Sequence, residues 1–167
     1  MSLDVVTQVW LCRITGYLAI LFLLGSQSMG GLRRLGWVSA KSHLLWRRRL
    51  GVYSAALASL HVLIVWRTFL VGYYFYPFRE TSWAQLGLGA WLLLLLLWLT
   101  SYPRLVRLLR VGAWRNLHRL AYLATLLAIV HALLAPWSDP RIHLGFMTFF
   151  ALMLLLRVLP MPSILKR

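Results

Sequence analysis

The chain has 167 residues, 61% of them hydrophobic and 13% charged, which excludes an ordinary soluble domain, whose apolar share is nearer half. Its net charge of +15 would suggest nucleic acid in a soluble protein, but the arginines fall between apolar runs, where membrane topology and anionic lipid account for them, and no basic face remains once those runs are set aside. A single cysteine, Cys12, excludes an internal disulfide and a cysteine-ligated zinc or iron–sulfur centre.

A helix crossing the hydrocarbon needs about 20 mostly apolar residues, and five stretches approach that length, at roughly 9–29, 48–71, 83–101, 116–135 and 143–160. The first follows MSLDVVTQVW, which carries an acid and no basic segment, so it is expected to persist as a helix and not to be cleaved as a signal. Breakers separate the spans: MGG at 29–31, YYFYPF at 73–78, SYP at 101–103 and APWSDP at 135–140. No soluble domain fits between them, so residues 1–167 are expected to form one all-α domain, a bundle of five transmembrane helices. Trp10, Trp46, Trp83, Trp114 and Trp137 sit at span ends and read as interfacial anchors.

Lysine and arginine set the orientation. Fourteen of the eighteen fall on one side, at 33–49, 104–119 and 157–167, against Arg13, Arg67, Arg79 and Arg141 on the other. The positive-inside rule places the larger group in the cytoplasm, with the N-terminus outside and the C-terminus inside. Asp4, Glu80 and Asp139, the three acids, then fall outside.

Depth follows from spacing. His61 lies 12 to 14 residues beyond Arg47–Arg49, and His131 lies 12 to 16 beyond Arg115 and Arg119. At 1.5 Å per residue both stand about 20 Å above the basic side, in the outer half of the bilayer. His118, thirteen residues before His131, lies near the cytoplasmic face. On a helical projection His131 falls about 140° from His118, with Ala121, Ala124, Thr125, Ala128, Ala132 and Ala135 in the arc between them and leucines opposite. Small faces also serve close helix packing, but packing does not explain two imidazoles at one depth on two helices. A flat macrocycle needs small neighbours for its ring and a neutral nitrogen above and below its iron, and both requirements are met. A proton relay would want buried carboxylates, zinc would want a third ligand, and no Ser/His/Asp set or dinucleotide fingerprint is present.

RRRLGVYSAALASLH at 47–61, followed by WRNLHRLAYLATLLAIVH at 114–131, resembles the ferric-reductase-like transmembrane superfamily. Within it the chain resembles the haem-binding membrane subunits of bacterial periplasmic protein-methionine-sulfoxide reductase systems. The likeness rests on the basic cluster, the Leu-Gly step and His61, and on Leu-His-x-x-x-Tyr with the distal His131, over roughly residues 10–160. It implies b-type haem held between these helices by His61 and His131. Electrons from a quinol or a cytoplasmic flavin reductase would then pass to a periplasmic oxidoreductase subunit, in a bacterial inner membrane, with quinone or flavin as further cofactors. Members usually have six spans, and RITGYLAILFLLGS resembles their second. Relatives with two bis-histidine haems carry another histidine thirteen or fourteen residues before the equivalent of His61, where this chain has Arg48 and Arg47. A second haem at His118 would therefore need another ligand, such as His43 in the expected cytoplasmic loop. Two other functions stay open: the transmembrane part of a ferric or oxygen reductase, and an accessory subunit of a larger redox complex.

Arg13 and Arg67, near the outer ends of the first two spans, are candidates to neutralise haem propionates, against the alternative of snorkelling to headgroups. Tyr122 either lines the haem or bonds within the bundle. His143 is expected to be a polar residue at the outer interface.

Overall fold

The computed structural model describes residues 4–67, 82–109, 111–135 and 138–158. The expected connector at 73–78, together with Arg79, Glu80, Arg110, Trp137, Lys166 and Arg167, lies outside the described residues. Among the described residues there is no β-strand, and five helical segments are long and apolar enough to cross a membrane.

Helix α1, Val5–Arg34, is capped by Asp4, whose side chain accepts from Thr7 N at 3.2 Å. It ends where Gly36 takes φ +76° and lets Trp37 N return to Leu32 O and Gly36 N to Arg33 O, a left-handed termination that glycine adopts at least cost. Ser39 then caps α2, Ala40–Val65, by accepting from Ser42 N. This helix starts eight residues before the expected 48, so Lys41, His43 and Arg47–Arg49 are helical and not in a loop. Charge does not end a helix; long basic side chains can leave an interfacial turn sideways.

Helix α3, Ser82–Leu99, is followed by the short α4, Pro103–Leu108, and α5, Val111–Leu117. Helix α6, Leu120–Leu134, is separated from α5 by a tight turn at His118 and Arg119. There Arg119 N bonds Asn116 O, Ala121 N bonds His118 O and Tyr122 N bonds Arg119 O, the i to i+3 pattern of a locally tightened helix. The run 114–134 is thus not one regular helix, and the 140° projection across His118 does not transfer to the structure. Helix α7, Pro140–Val158, closes the bundle.

Packing is most extensive between α1 and α2 and between α3 and α6, and α7 lies against α1 and α6. Helix α1 supplies Ile20, Leu23 and Leu24 to two apolar clusters, one with Ile129 and Phe150, the other with Ala55, Leu94 and Ala124. Because lipid tails are as apolar as these side chains, close contact and interhelical hydrogen bonds hold the helices together, the latter at about 0.6 kcal/mol each. Ser54 Oγ bonds Ala19 O at 2.8 Å, Trp91 Nε1 bonds Ser59 Oγ at 3.1 Å, and Gln27 Nε2 bonds Ala121 O at 3.0 Å and Thr125 Oγ1. Leu123, Leu126 and Leu134 on α6 face outward, as the projection within that helix predicts.

Candidate functional site

His61 on α2 and His131 on α6 meet inside the bundle, with ring centroids 6.3 Å apart and planes crossing at 81°. Each is oriented by a backbone carbonyl of the neighbouring helix. His61 Nδ1 lies 2.9 Å from Cys12 O on α1, and His131 Nδ1 lies 2.7 Å from Trp83 O on α3. A carbonyl oxygen can only accept, so Nδ1 carries the proton in both rings and Nε2 keeps its lone pair. A bond of this kind, made by the ring nitrogen turned away from the metal, fixes tautomer and ring direction in metal-ligating histidines.

Two glycines make room for the rings. A Cβ on Gly16 would stand 3.2 Å from His61 Cε1 and Nδ1, and one on Gly87 would stand 2.7 Å from the same atoms of His131. Gly16 is one helical turn beyond Cys12, and Gly87 one turn beyond Trp83. Each histidine therefore meets the same device on its partner helix, a carbonyl at one position and no side chain four residues on.

The pair fits a haem iron. Two imidazole nitrogens holding one metal between them, at about 2 Å each and about 1 Å more from each nitrogen to its ring centre, would put the centroids about 6 Å apart. With Nδ1 donating, Nε2 is the nitrogen that each neutral ring would offer to a metal. The small face of α6 is used mainly for packing: Ala124 joins the cluster of Leu23 and Leu94, while Ala128 and Ala132 pack against that of Ile20, Ile129 and Phe150.

His118 is not brought to this pair. It sits half-buried on the turn before α6, its ring 4.2 Å from that of Trp114 and its Nε2 3.5 Å from Thr100 Oγ1. His43 is buried in the first turn of α2 and not in a loop. Among the described residues His61 and His131 are the one pair of imidazoles in ring contact. Arg13 follows Cys12 directly and lies half-buried, its guanidinium 5.7 Å from the Trp10 ring. Arg67 is exposed just beyond α2. Tyr122 joins the bundle interior, with the Arg157 guanidinium 5.0 Å from its ring. His143 departs from expectation: it is 1% exposed, between Tyr17 and Phe146, because α7 turns that face onto α1.

The spacing of histidines pointed to His61 and His131, but not to Gly16, Gly87 or the carbonyls of Cys12 and Trp83. The only local trace was a glycine inside each apolar run, in ITGYL and QLGLG, where glycine marks close approach of another group.

Fold and site together define a multi-pass helical membrane protein with a paired-imidazole centre in its interior. Residues 14–129 match the ferric reductase like transmembrane component family, and the chain belongs to that family. It is similar to proteins named protein-methionine-sulfoxide reductase heme-binding subunit MsrQ. The relative from Xanthomonas euvesicatoria is 34% identical over 76% of this chain and 58% of its own length. That from Deinococcus radiodurans is 38% identical over 78% and 63%, and that from Rhodospirillum rubrum 31% identical over 89% and 72%. The chain thus spans about three fifths to three quarters of the length of these relatives. No solved structure matches it.

Proposed function

We propose that the protein is a b-type cytochrome subunit of a bacterial inner membrane, carrying electrons between a donor and a periplasmic oxidoreductase of the methionine-sulfoxide reductase kind. The observation that carries this is the His61–His131 pair, 6.3 Å apart with both Nδ1 atoms held by backbone carbonyls. The names of the relatives, heme-binding subunits of such a system, agree with it.

When bound, the haem supplies a one-electron carrier. The chain's own residues do the rest. His61 and His131 would hold it through Nε2, and a haem held by two imidazoles would serve electron transfer rather than oxygen chemistry. Cys12 O and Trp83 O hold the rings in one tautomer and one direction, so little rearranges between oxidation states. Arg13 and Arg67, at the outer ends of α1 and α2, supply cations for the propionates. The donor is a quinol or a cytoplasmic flavin reductase. His118, stacked on Trp114 and beside Thr100, acts at the inner level without a histidine opposite it, so the proposal carries one haem per chain.

The test is the reduced-minus-oxidised spectrum and haem content of the purified protein, compared with His61→Ala and His131→Ala. A low-spin b-type signal of one haem per chain, lost in both variants, is expected; full haem content in both variants overturns the assignment. Orientation is tested separately. Reporter fusions at Gly31 and Arg110 are expected to read cytoplasmic and one at Pro77 periplasmic, and the inverse pattern would put the pair on the wrong side for a periplasmic acceptor.

A further inference from the structure

The opposite end of the bundle from the Asp4 and Asp139 caps gathers cations from three helices. Arg33 lies in the last turn of α1, Arg47 in α2 and Arg157 in the last turn of α7. All three act electrostatically on the His43 ring, and Arg47 acts on Arg157 as well. The Arg157 guanidinium turns inward: it stands over the Tyr122 ring, and its Nη2 donates to Gln27 O at 3.3 Å. It occupies the place that a side chain at Gly30 would fill. Arg34 secures the end of the same helix by donating to the carbonyls of Leu156, at 3.2 Å, and Arg157.

Arg47 and Arg157 are half-buried, and like charges partly withdrawn from water repel unless an anion lies between them. The described carboxylates, Asp4 and Asp139, cap the far ends of α1 and α7 and cannot serve. Polar atoms at the same place are also left over. His43 is 7% and Gln27 3% exposed, yet His43 Nδ1, Gln27 Oε1 and the Tyr122 hydroxyl find no partner among the described residues. A buried polar group without a partner costs about 1–3 kcal/mol; His43 Nδ1 and the Tyr122 hydroxyl are donors that an oxyanion would satisfy, whereas Gln27 Oε1 accepts and takes no part in holding one. Arginine offers five donors in a planar fork suited to phosphate oxygens, of which Arg157 gives one to Gln27 O.

The geometry points to a phosphate-binding site between the ends of α1, α2 and α7, with Arg47 and Arg157 as its main contacts and His43 and Tyr122 as further donors. The phosphate is that of a phospholipid headgroup or of a free phosphate-bearing ligand, and the site stands apart from the haem proposal.

Thermal unfolding of the delipidated full chain in neutral detergent, followed by tryptophan fluorescence, tests this. Added phosphatidylglycerol is expected to raise the wild-type midpoint by several degrees where phosphatidylcholine does not; a rise with inorganic phosphate at millimolar concentration as well would identify a free phosphate as the ligand. Arg47→Gln and Arg157→Gln are each expected to weaken the half-maximal effect about tenfold or more, the loss of a charged hydrogen bond. Arg104→Gln, which removes an exposed charge from α4, is expected to leave it unchanged. No rise with either probe, or equal rises in wild type and both variants, overturns the site. If neither arginine variant accumulates, His43→Asn decides, since it removes no fixed charge: a weakened rise supports the site and an unaltered one overturns it.

Discussion

The two helix pairs of the bundle seat their histidines in the same way with unrelated sequences. In α1 and α2 the segment CRITG offers Cys12 O and the gap at Gly16 to His61; in α3 and α6 the segment WAQLG offers Trp83 O and the gap at Gly87 to His131. Only the spacing from carbonyl to glycine is shared. Backbone and missing side chain do the positioning, so the intervening residues are free to differ. The pairs differ in tightness: the Gly87 side has 2.7 Å of clearance for an added Cβ and the Gly16 side 3.2 Å. His131 also has the Trp83 ring at 5.7 Å, whereas His61 has the Cys12 thiol at 3.6 Å from Nδ1.

The largest effect expected is loss of either imidazole. On the proposed reading, His61→Ala and His131→Ala each take away one of the two nitrogens that would hold the haem, and both are expected to abolish the low-spin signal. Retention of that signal in one of them would show that the two pairs are not equivalent partners around one iron.

Glycine substitution is expected to separate the two pairs. Gly87→Ala places a methyl within 2.7 Å of His131 ring atoms, and overpacking of that kind costs about 1–3 kcal/mol, more than the roughly 1 kcal/mol that alanine gains over glycine in a helix. Net destabilisation and about a tenfold loss of haem retention are expected. Gly16→Ala meets its ring at 3.2 Å, where a shift of a few tenths of an ångström suffices. There the helix gain offsets the strain, and stability is expected to change by less than about 1 kcal/mol. Thermal midpoints and haem per chain for the two variants, side by side, check this; equal losses would remove the asymmetry.

The five spans and the shared level of His61 and His131 were legible because hydropathy, basic flanks and helical rise are local quantities. The start of α2 at Ala40 was not, since Arg47–Arg49 look like a boundary although Ser39 caps the helix well before them. Gly16 and Gly87 matter only once α1 is known to lie on α2 and α3 on α6. Burial of His143 depends on how α7 is rotated, and that helix is apolar on every side, so no stripe announces its inner face. Gln27 and Arg157, which meet at the arginine-rich end, are 130 residues apart.

His118 gives a smaller effect. It belongs to neither pair and contacts Trp114 and Thr100 near the end of α3. His118→Ala is therefore expected to leave one haem per chain and the low-spin spectrum unchanged, with a stability loss of about 1 kcal/mol from the packing it vacates. Two haems in the wild type and one in the variant would instead make the inner level a second redox centre and break the single-centre comparison.

Cys12 is where the two pairs look most different and where the least change is expected. Its thiol lies 3.6 Å from His61 Nδ1, but its carbonyl lies at 2.9 Å, and only the second is a strong acceptor. A carbonyl belongs to the backbone, so no side-chain substitution removes it. Cys12→Ala and Cys12→Ser are expected to keep the haem content and the midpoint potential of the wild type, just as the Trp83 carbonyl serves His131 without help from its own side chain's polar atom. A large shift in potential for Cys12→Ala, with haem content intact, would mean that the thiol tunes His61 directly, and the two pairs would then be matched in geometry but not in electronics.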